Sequence, residues 1–471
     1  MTFSYTDLFA GIGGFHAALG AAGGEGWFAS EIDLAAKKVY EANWGLKVAG
    51  DIVPLTEKTM AVPPTDVLAA GFPCQPFSKS GAQLGMTEAR GTLFWNILEI
   101  VKAHQPSVLL LENVRNLAGP RHRHEWEIIV RDLRNAGYRV SATPAVFSPH
   151  LLPPHLGGRP QVRERVFITA TYVGTKHSQV DVDPIVYNAP VGNWNPKDWD
   201  LDEHLLDDDT TIEGIEKYRL TDAESNWIEV WEDLISSLID RLDGGKLPGF
   251  PIWADEFTHP DILRVAPETP AWKAGFLRKN AEFYARHMDV IDEWLVRHNN
   301  LEGIPASRRK LEWQAQDSGS LHDTVMHFRP SGIRAKRATY LPALVAITQT
   351  SIIGSRARRI TPREAARLQG LPDWFDFSHL VDGQRVPQAD SATYKQLGNG
   401  VNVGAAYHVF RKHVLRDADL LADRAPDLVE AVLASPENPD DAPSMQQRLE
   451  PRPLPVGAQG RDSRVVPLLT R

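Results

Sequence analysis

Between Tyr5 and about Val173, short apolar runs alternate with stretches whose apolar residues recur every three or four positions. The runs at 4–9, 26–30, 67–70, 107–112, 139–146 and 165–171 are predicted strands. Segments 14–22, 34–43, 94–104 and 125–136 carry the helical period and are predicted helices. Alternation of this kind builds βαβ units, so the expectation is an α/β fold with a parallel sheet covered on both faces. Past Val173 the period weakens, and Trp194, Trp199, Trp227, Trp231, Trp253, Trp272, Trp294 and Trp313 are spread through a Pro- and Asp-rich region. Tryptophans so spaced are core material, which predicts a second domain. Regular patterning resumes near Ala343 and runs to about Arg424, so the chain is expected to return to its first domain. The predicted organisation is 1–173, 174–355 and 356–424, followed by a Pro-, Asp-, Gln- and Arg-rich stretch, 425–471, expected to be a disordered tail.

Composition changes this picture in two places. At 471 residues and 42% hydrophobic the chain can bury a large core, yet no run of eighteen apolar residues occurs and the start, MTFSYTDLFAG, lacks a secretory pattern. A cytoplasmic protein without a membrane partner is expected. The net charge of −9 argues weakly against a polyanionic partner, but its distribution is uneven. Acid gathers between Asp198 and Asp233, with Asp207, Asp208 and Asp209 in a row. Between Arg329 and Arg367 the sign reverses, with Arg334, Lys336, Arg337, Arg356, Arg358, Arg359 and Arg363 against Glu364. Charge alone reads as a solvated face.

The single cysteine excludes a disulfide framework and a multi-cysteine zinc site, and no metal is expected. Cys74 lies in Gly71-Phe72-Pro73-Cys74-Gln75-Pro76, directly after the predicted strand at 67–70. Flanking prolines suit a rigid loop at the carboxyl edge of a sheet, where open α/β folds bind ligands. The first strand ends in Asp7-Leu8-Phe9-Ala10-Gly11-Ile12-Gly13-Gly14, a turn that brings backbone close to a ligand. It is not a dinucleotide fingerprint, because His16 occupies the position of the third glycine. Glu31 closes the next strand, where such folds place an acid on ribose hydroxyls, and Gly50-Asp51-Ile52 supplies another. Glu112 ends a run so apolar that desolvation should raise its pKa, and Arg163 and Arg165 share a face if extended.

The ordered blocks DLFAGIGGF, GDI, GFPCQPFS, LENV, QVRERVFI, RRITPREAARLQG and YKQLGNGVNV resemble the cytosine-C5 DNA methyltransferases, over roughly 5–172 and 340–410. The resemblance implies a Rossmann-like domain that uses S-adenosyl-L-methionine, with a smaller mixed target-recognition domain in the middle. It implies Cys74 as the nucleophile on cytosine C6, Glu112 holding N3 and giving a proton, Arg165 on O2 and Arg163 assisting. By the same resemblance Phe9, Gly11 and Gly13 line the cofactor, Glu31 binds ribose, and Ile32, Asp51 and Ile52 hold adenine. Leu93, Asn399 and Val401 complete that pocket. Two departures are Gly400, where many members carry serine, and Ile32, where an aromatic is frequent. Thr361-Pro362-Arg363-Glu364 resembles a structural turn of the family, with Thr361 as helix cap.

The implied partner is double-stranded DNA, with the target base swung out and the segment after Arg329 facing the duplex. A monomeric bacterial enzyme paired with a restriction endonuclease is expected. A tRNA cytosine-C5 methyltransferase and a non-catalytic DNA-binding relative share these blocks. The long middle region favours duplex DNA over tRNA, and the intact cysteine and glutamate blocks favour an enzyme. A nicotinamide oxidoreductase is disfavoured by His16.

Overall fold

The computed structural model describes residues 1–57, 60–73, 93–239, 241–242, 246–315, 318–344, 350–381 and 384–448. It divides into two units, Met1–Pro196 with Ala343–Ala346 and Ala365–Arg471, and Lys197–Pro342 with Ile347–Glu364. The chain thus changes unit at 196/197, 342/343, 346/347 and 364/365, where 173/174 and 355/356 were expected.

In the first unit the strands are β1 (Phe3–Leu8), β2 (Gly24–Ser30), β3 (Val48–Ala49), β4 (Val67–Gly71), β5 (Val108–Val114), β6 (Tyr138–Val140), β7 (Ala145–Phe147) and β8 (Arg165–Tyr172). Their order across the sheet is 3-2-1-4-5-8-6, with β7 also pairing β8. Strands β1 to β5 run parallel, as the alternation predicts. β8 runs antiparallel to β5, setting Arg165 opposite Val114. The expected strand at 139–146 is instead β6 and β7. Pro144 lacks an N–H, the Ala142 carbonyl accepts from Trp126 Nε1 at 2.6 Å, and the Ala142 N–H donates to Asp181 at 2.9 Å. These bonds draw the backbone out of the ladder.

Leu68, Leu109, Leu111, Val166 and Ile168 place the apolar core on the helix-covered sheet. The flanking helices are α1 (Gly14–Ala21), α2 (Leu34–Trp44), α3 (Leu93–His104) and α4 (Arg123–Asn135). Asp33 caps α2 by accepting from the N–H groups of Ala35 and Ala36, and Gly45 ends it at φ 68°. After the second unit the chain adds α5 (Asp390–Asn399) and α6 (Val403–Arg416), and α6 packs on α1. Thr171 on β8 donates to Asp417 at 2.6 Å, and Arg139 pairs with the same carboxylate at 2.6 Å, tying the end of α6 to the sheet.

The disordered tail expected at 425–471 is corrected over its described part. Helix α7 (Pro426–Ala434) starts on a proline and buries Leu428, Ala431 and Val432, a period that fits a helix seated on a core. The remainder, 449–471, lies outside the described residues.

The second unit carries a sheet of β9 (Ile252–Trp253), β10 (Lys310–Gln314), β11 (Thr324–Arg329), β12 (Gly332–Arg337), β13 (Ile352–Ile353) and β14 (Arg358–Arg359), ordered 9-10-12-11-13-14. Trp231, Trp294 and Trp313 are buried in its core as the spacing predicts, whereas Trp272 is 64% exposed. The acidic run is internal mortar. Asp209 accepts from Arg358 at 2.8 Å, Asp202 from Arg356 at 2.7 Å and Glu224 from Arg359 at 2.5 Å. Buried Glu364 receives both terminal nitrogens of buried Arg358, while Thr361 and Glu364 form a reciprocal capping box at 2.7 and 3.1 Å.

Candidate active site

The site lies at the carboxyl edge of β1, β2, β4 and β5, where side chains stop alternating and backbone turns take over. Phe9 leaves β1 in the left-handed region at φ 56°, followed by Gly11 at 56° and Gly13 at 97°. At Gly13 an added Cβ would fall 2.1 Å from Trp44 Nε1, the group that donates to the Ile12 carbonyl at 2.9 Å. Only glycine fits there. Around Gly11 no atom of the described residues lies within 4 Å of an added Cβ, so among them that face of the turn is open to a ligand. Glu31 holds the turn from the side: one carboxylate oxygen accepts from the Gly11 N–H at 2.8 Å, the other from the Asp33 N–H at 2.7 Å. Each oxygen keeps a lone pair for a hydroxyl.

His16 takes the place of the missing glycine as a packed side chain. Its Nδ1 lies 2.7 Å from Tyr40 Oη, its ring stacks on Trp44, and desolvation pushes its pKa down to about 3. Asp7 lies beneath the same turn. Burial, with Glu31 adding to it, raises its carboxyl well above the usual range.

The remaining cofactor candidates divide. Ile32 is 71% exposed at the rim. Asp51 is exposed and accepts from the Val53 N–H at 3.0 Å. Ile52 buries its side chain in the apolar core, leaving its backbone for a ligand. Leu93 opens α3 and packs partly against that core. Asn399 is exposed at the end of α5. Val401 follows, and its carbonyl oxygen would lie 2.4 Å from a Cβ on Gly14. The returning segment therefore closes directly on the start of α1.

Glu112 and the cysteine loop meet at Gly71. β4 and β5 pair Gly71 with Glu112, and a Cβ on Gly71 would lie 3.4 Å from Val401 Cγ2 and 3.7 Å from Glu112 Oε2. Cys74 itself lies outside the described residues, and Phe72 and Pro73 lead towards it. Asn113 Nδ2 donates to the Phe72 carbonyl at 2.8 Å and its Oδ1 accepts from the Val114 N–H at 2.8 Å, so Asn113 fixes the root of that loop. Sequence reasoning missed this residue, and the only sign was a polar side chain after an apolar strand.

Glu112 is buried, and its Oε1 sits 2.9 Å from Arg165 Nε. Burial raises its pKa as expected, with Arg165 and then Arg163 opposing. The two arginines do not act alike. Arg163 is fully buried and donates to the carbonyls of Gly398 at 2.9 Å, Gly400 at 2.6 Å and Leu344 at 3.2 Å. Desolvation lowers its pKa to about 9. Its backbone N–H donates to Ser148 Oγ at 2.9 Å. Arg163 thus holds the return segment that carries Asn399 and Val401, while Arg165 faces the acid.

Residues 3–415 match the C-5 cytosine-specific DNA methylase family. The Type II methyltransferase M.AluI of Cellulosimicrobium cellulans is 47% identical, over 93% of this chain and 97% of its own length. M.HpaII of Haemophilus parainfluenzae is 40% identical over 86% and 87%, and M.HhaI of Haemophilus parahaemolyticus 27% identical over 86% and 92%. With the family spanning most of its length and nearly half its residues shared with one such relative, this chain belongs to the C-5 cytosine-specific DNA methylases.

Proposed function

We propose that the protein transfers a methyl group from S-adenosyl-L-methionine to C5 of a cytosine swung out of a specific duplex sequence, as the modification enzyme of a restriction–modification pair. The observation that carries this reading is the meeting of buried Glu112, its partner Arg165 and the root of the Cys74 loop at Gly71. A cytoplasmic monomer fits it; among the described residues no helix is long and apolar enough to cross a membrane.

The open face at Gly11 and the spare lone pairs of Glu31 fit a nucleoside with free hydroxyls. Phe9, Gly11 and Gly13 would line that nucleoside, Glu31 would hold ribose, and Ile32, Asp51 and the Ile52 backbone would border the base. Leu93, Asn399 and Val401 would close the far side. When bound, the sulfonium supplies the electrophilic methyl group.

C5 of cytosine is a poor nucleophile until C6 is saturated. The Cys74 thiolate adds to C6 while Glu112, whose pKa burial raises, supplies a proton to N3, so that electron density collects at C5. Arg165, already oriented by Glu112, sits to hold O2. After methylation, loss of the C5 proton to solvent gives its electron pair to the C5–C6 bond and expels the thiolate from C6, and the N3 proton returns to Glu112.

Incubating the protein with cofactor and duplexes carrying 5-fluorocytosine tests this, because fluorine at C5 blocks the final elimination. A covalent protein–DNA product is expected from the parent and none from Cys74→Ser. A Cys74→Ser variant that methylates DNA at the parent rate, or methyl transfer to tRNA alone, refutes it.

A further inference from the structure

The sequence carries one long basic run, but the structure splits it in two. In its second half the positive charge is consumed inside the unit, since Arg356, Arg358 and Arg359 pair with Asp202, Asp209, Glu364 and Glu224. The first half is different. On the strand pair β11–β12, Met326, Phe328, Ile333 and Ala335 turn towards the core. Alternation then sets His327, Arg329, Arg334 and Lys336 on the opposite face, where β12 pairs Arg334 with both His327 and Glu312.

On that face Glu312 is the carboxylate, 2.6 Å from Arg334 Nε. Among the described residues neither Arg329 nor Lys336 forms a side-chain ion pair, and the one acid acting on Arg329 is Glu312, already engaged by Arg334. Both are half-buried, and both have pKa values lowered first by desolvation and then by their cationic neighbours. His327 adds no charge, because burial and the surrounding cations push it down to about 3, with Nε2 2.8 Å from Ser351 Oγ. Beneath the hairpin, Arg308 lies 4.9 Å from the Phe328 ring and donates to the Arg329 carbonyl at 2.7 Å, which stiffens the tip. A rigid, partly dehydrated surface with three cations to one carboxylate, on a chain of net charge −9, is complementary to a polyanion.

We propose that Arg329 and Lys336, with Arg334 between them, are the backbone-phosphate contacts by which the recognition unit sets its register on duplex DNA. This rests on the DNA-methylase reading and assigns that unit a docking strand pair.

The test is equilibrium binding of the full chain to its duplex from 50 to 200 mM salt. Arg329→Gln and Lys336→Gln should each weaken binding about equally for specific and random duplexes and reduce the log–log salt slope by about 1, and the double variant by about 2. Arg219→Gln, at an exposed arginine paired with Glu216, should leave the slope unchanged. Melting temperatures within a degree of the parent, expected because no partner is orphaned, tie the loss to binding. Parent slopes in folded variants overturn the docking assignment while leaving the methylase reading intact. Slope changes confined to single-stranded DNA or RNA overturn the choice of duplex. A parent that binds no duplex at all overturns both.

Discussion

Replacing Arg163 with methionine separates two roles that the sequence assigned to one pair of arginines. The substitution deletes a guanidinium that donates to the carbonyls of Gly398, Gly400 and Leu344, and the side chain is wholly enclosed. Hydrogen bonds from a charged group contribute about 1.5–3 kcal/mol each, and the orphaned carbonyls cannot reach water. Against that stands the desolvation of the cation, visible in a pKa lowered to about 9. A net loss of about 3 kcal/mol follows, near the lower end for breaking a buried charged network. In a unit of this size that is a fall in Tm of roughly 5 °C. The kinetic signature matters more. Freed carbonyls at 398 and 400 let Asn399 and Val401 drift, so the KM for S-adenosylmethionine should rise about tenfold, equivalent to about 1.4 kcal/mol. The turnover rate at saturating cofactor should fall much less. Scanning fluorimetry and methyl-transfer kinetics with varied cofactor measure both. An unchanged KM with a turnover rate reduced more than a hundredfold would mean that the guanidinium acts on the pyrimidine, and the positioning role would be wrong.

Three further outcomes are expected. Asn113→Ala frees the Phe72 carbonyl and should lower turnover about a hundredfold by displacing the thiol loop, with the KM for cofactor unchanged; parent turnover would show that the loop is held elsewhere. Glu112→Gln should lower methyl transfer by about 10²–10⁴-fold, read by tritium incorporation, and a variant within threefold of the parent contradicts the acid role. The Asp7 carboxyl keeps its proton in the fold at pH values where the unfolded chain has lost it, so stability falls as pH rises above the ordinary carboxylate range. Asp7→Asn removes that slope, and urea unfolding at pH 5 and pH 8 should show the variant gaining on the parent at the higher pH; a constant difference refutes the raised pKa.

Strand positions were legible because buried parallel strands are near-continuous apolar runs, and β4 and β5 fall where Val67–Ala70 and Leu109–Leu111 put them. The direction of β8 was not, since periodicity says which residues are buried and nothing about which neighbour they face. The break between β6 and β7 was signalled by Pro144, and α7 by the spacing of Leu428, Ala431 and Val432, both outweighed by the composition around them. At the site, Glu112 declared itself as a charge in an apolar run. The destination of Arg163 did not, because its acceptors are carbonyls 181 to 237 residues downstream, and a carbonyl leaves no mark in a sequence. The acidic stretch at Asp207–Asp209 read as surface, yet Asp209 neutralises the buried Arg358.

The contact of Val401 with Gly14 sets an order of events during synthesis. The turn at Gly11–Gly14 is made before the strip that packs against it, with nearly all of the second unit made between them. At ordinary elongation speeds the growing chain spends roughly twenty seconds or more with that turn uncovered. The first unit can therefore be completed only after most of the second has been made, so a chain cut short in the second unit lacks the strip that covers this turn.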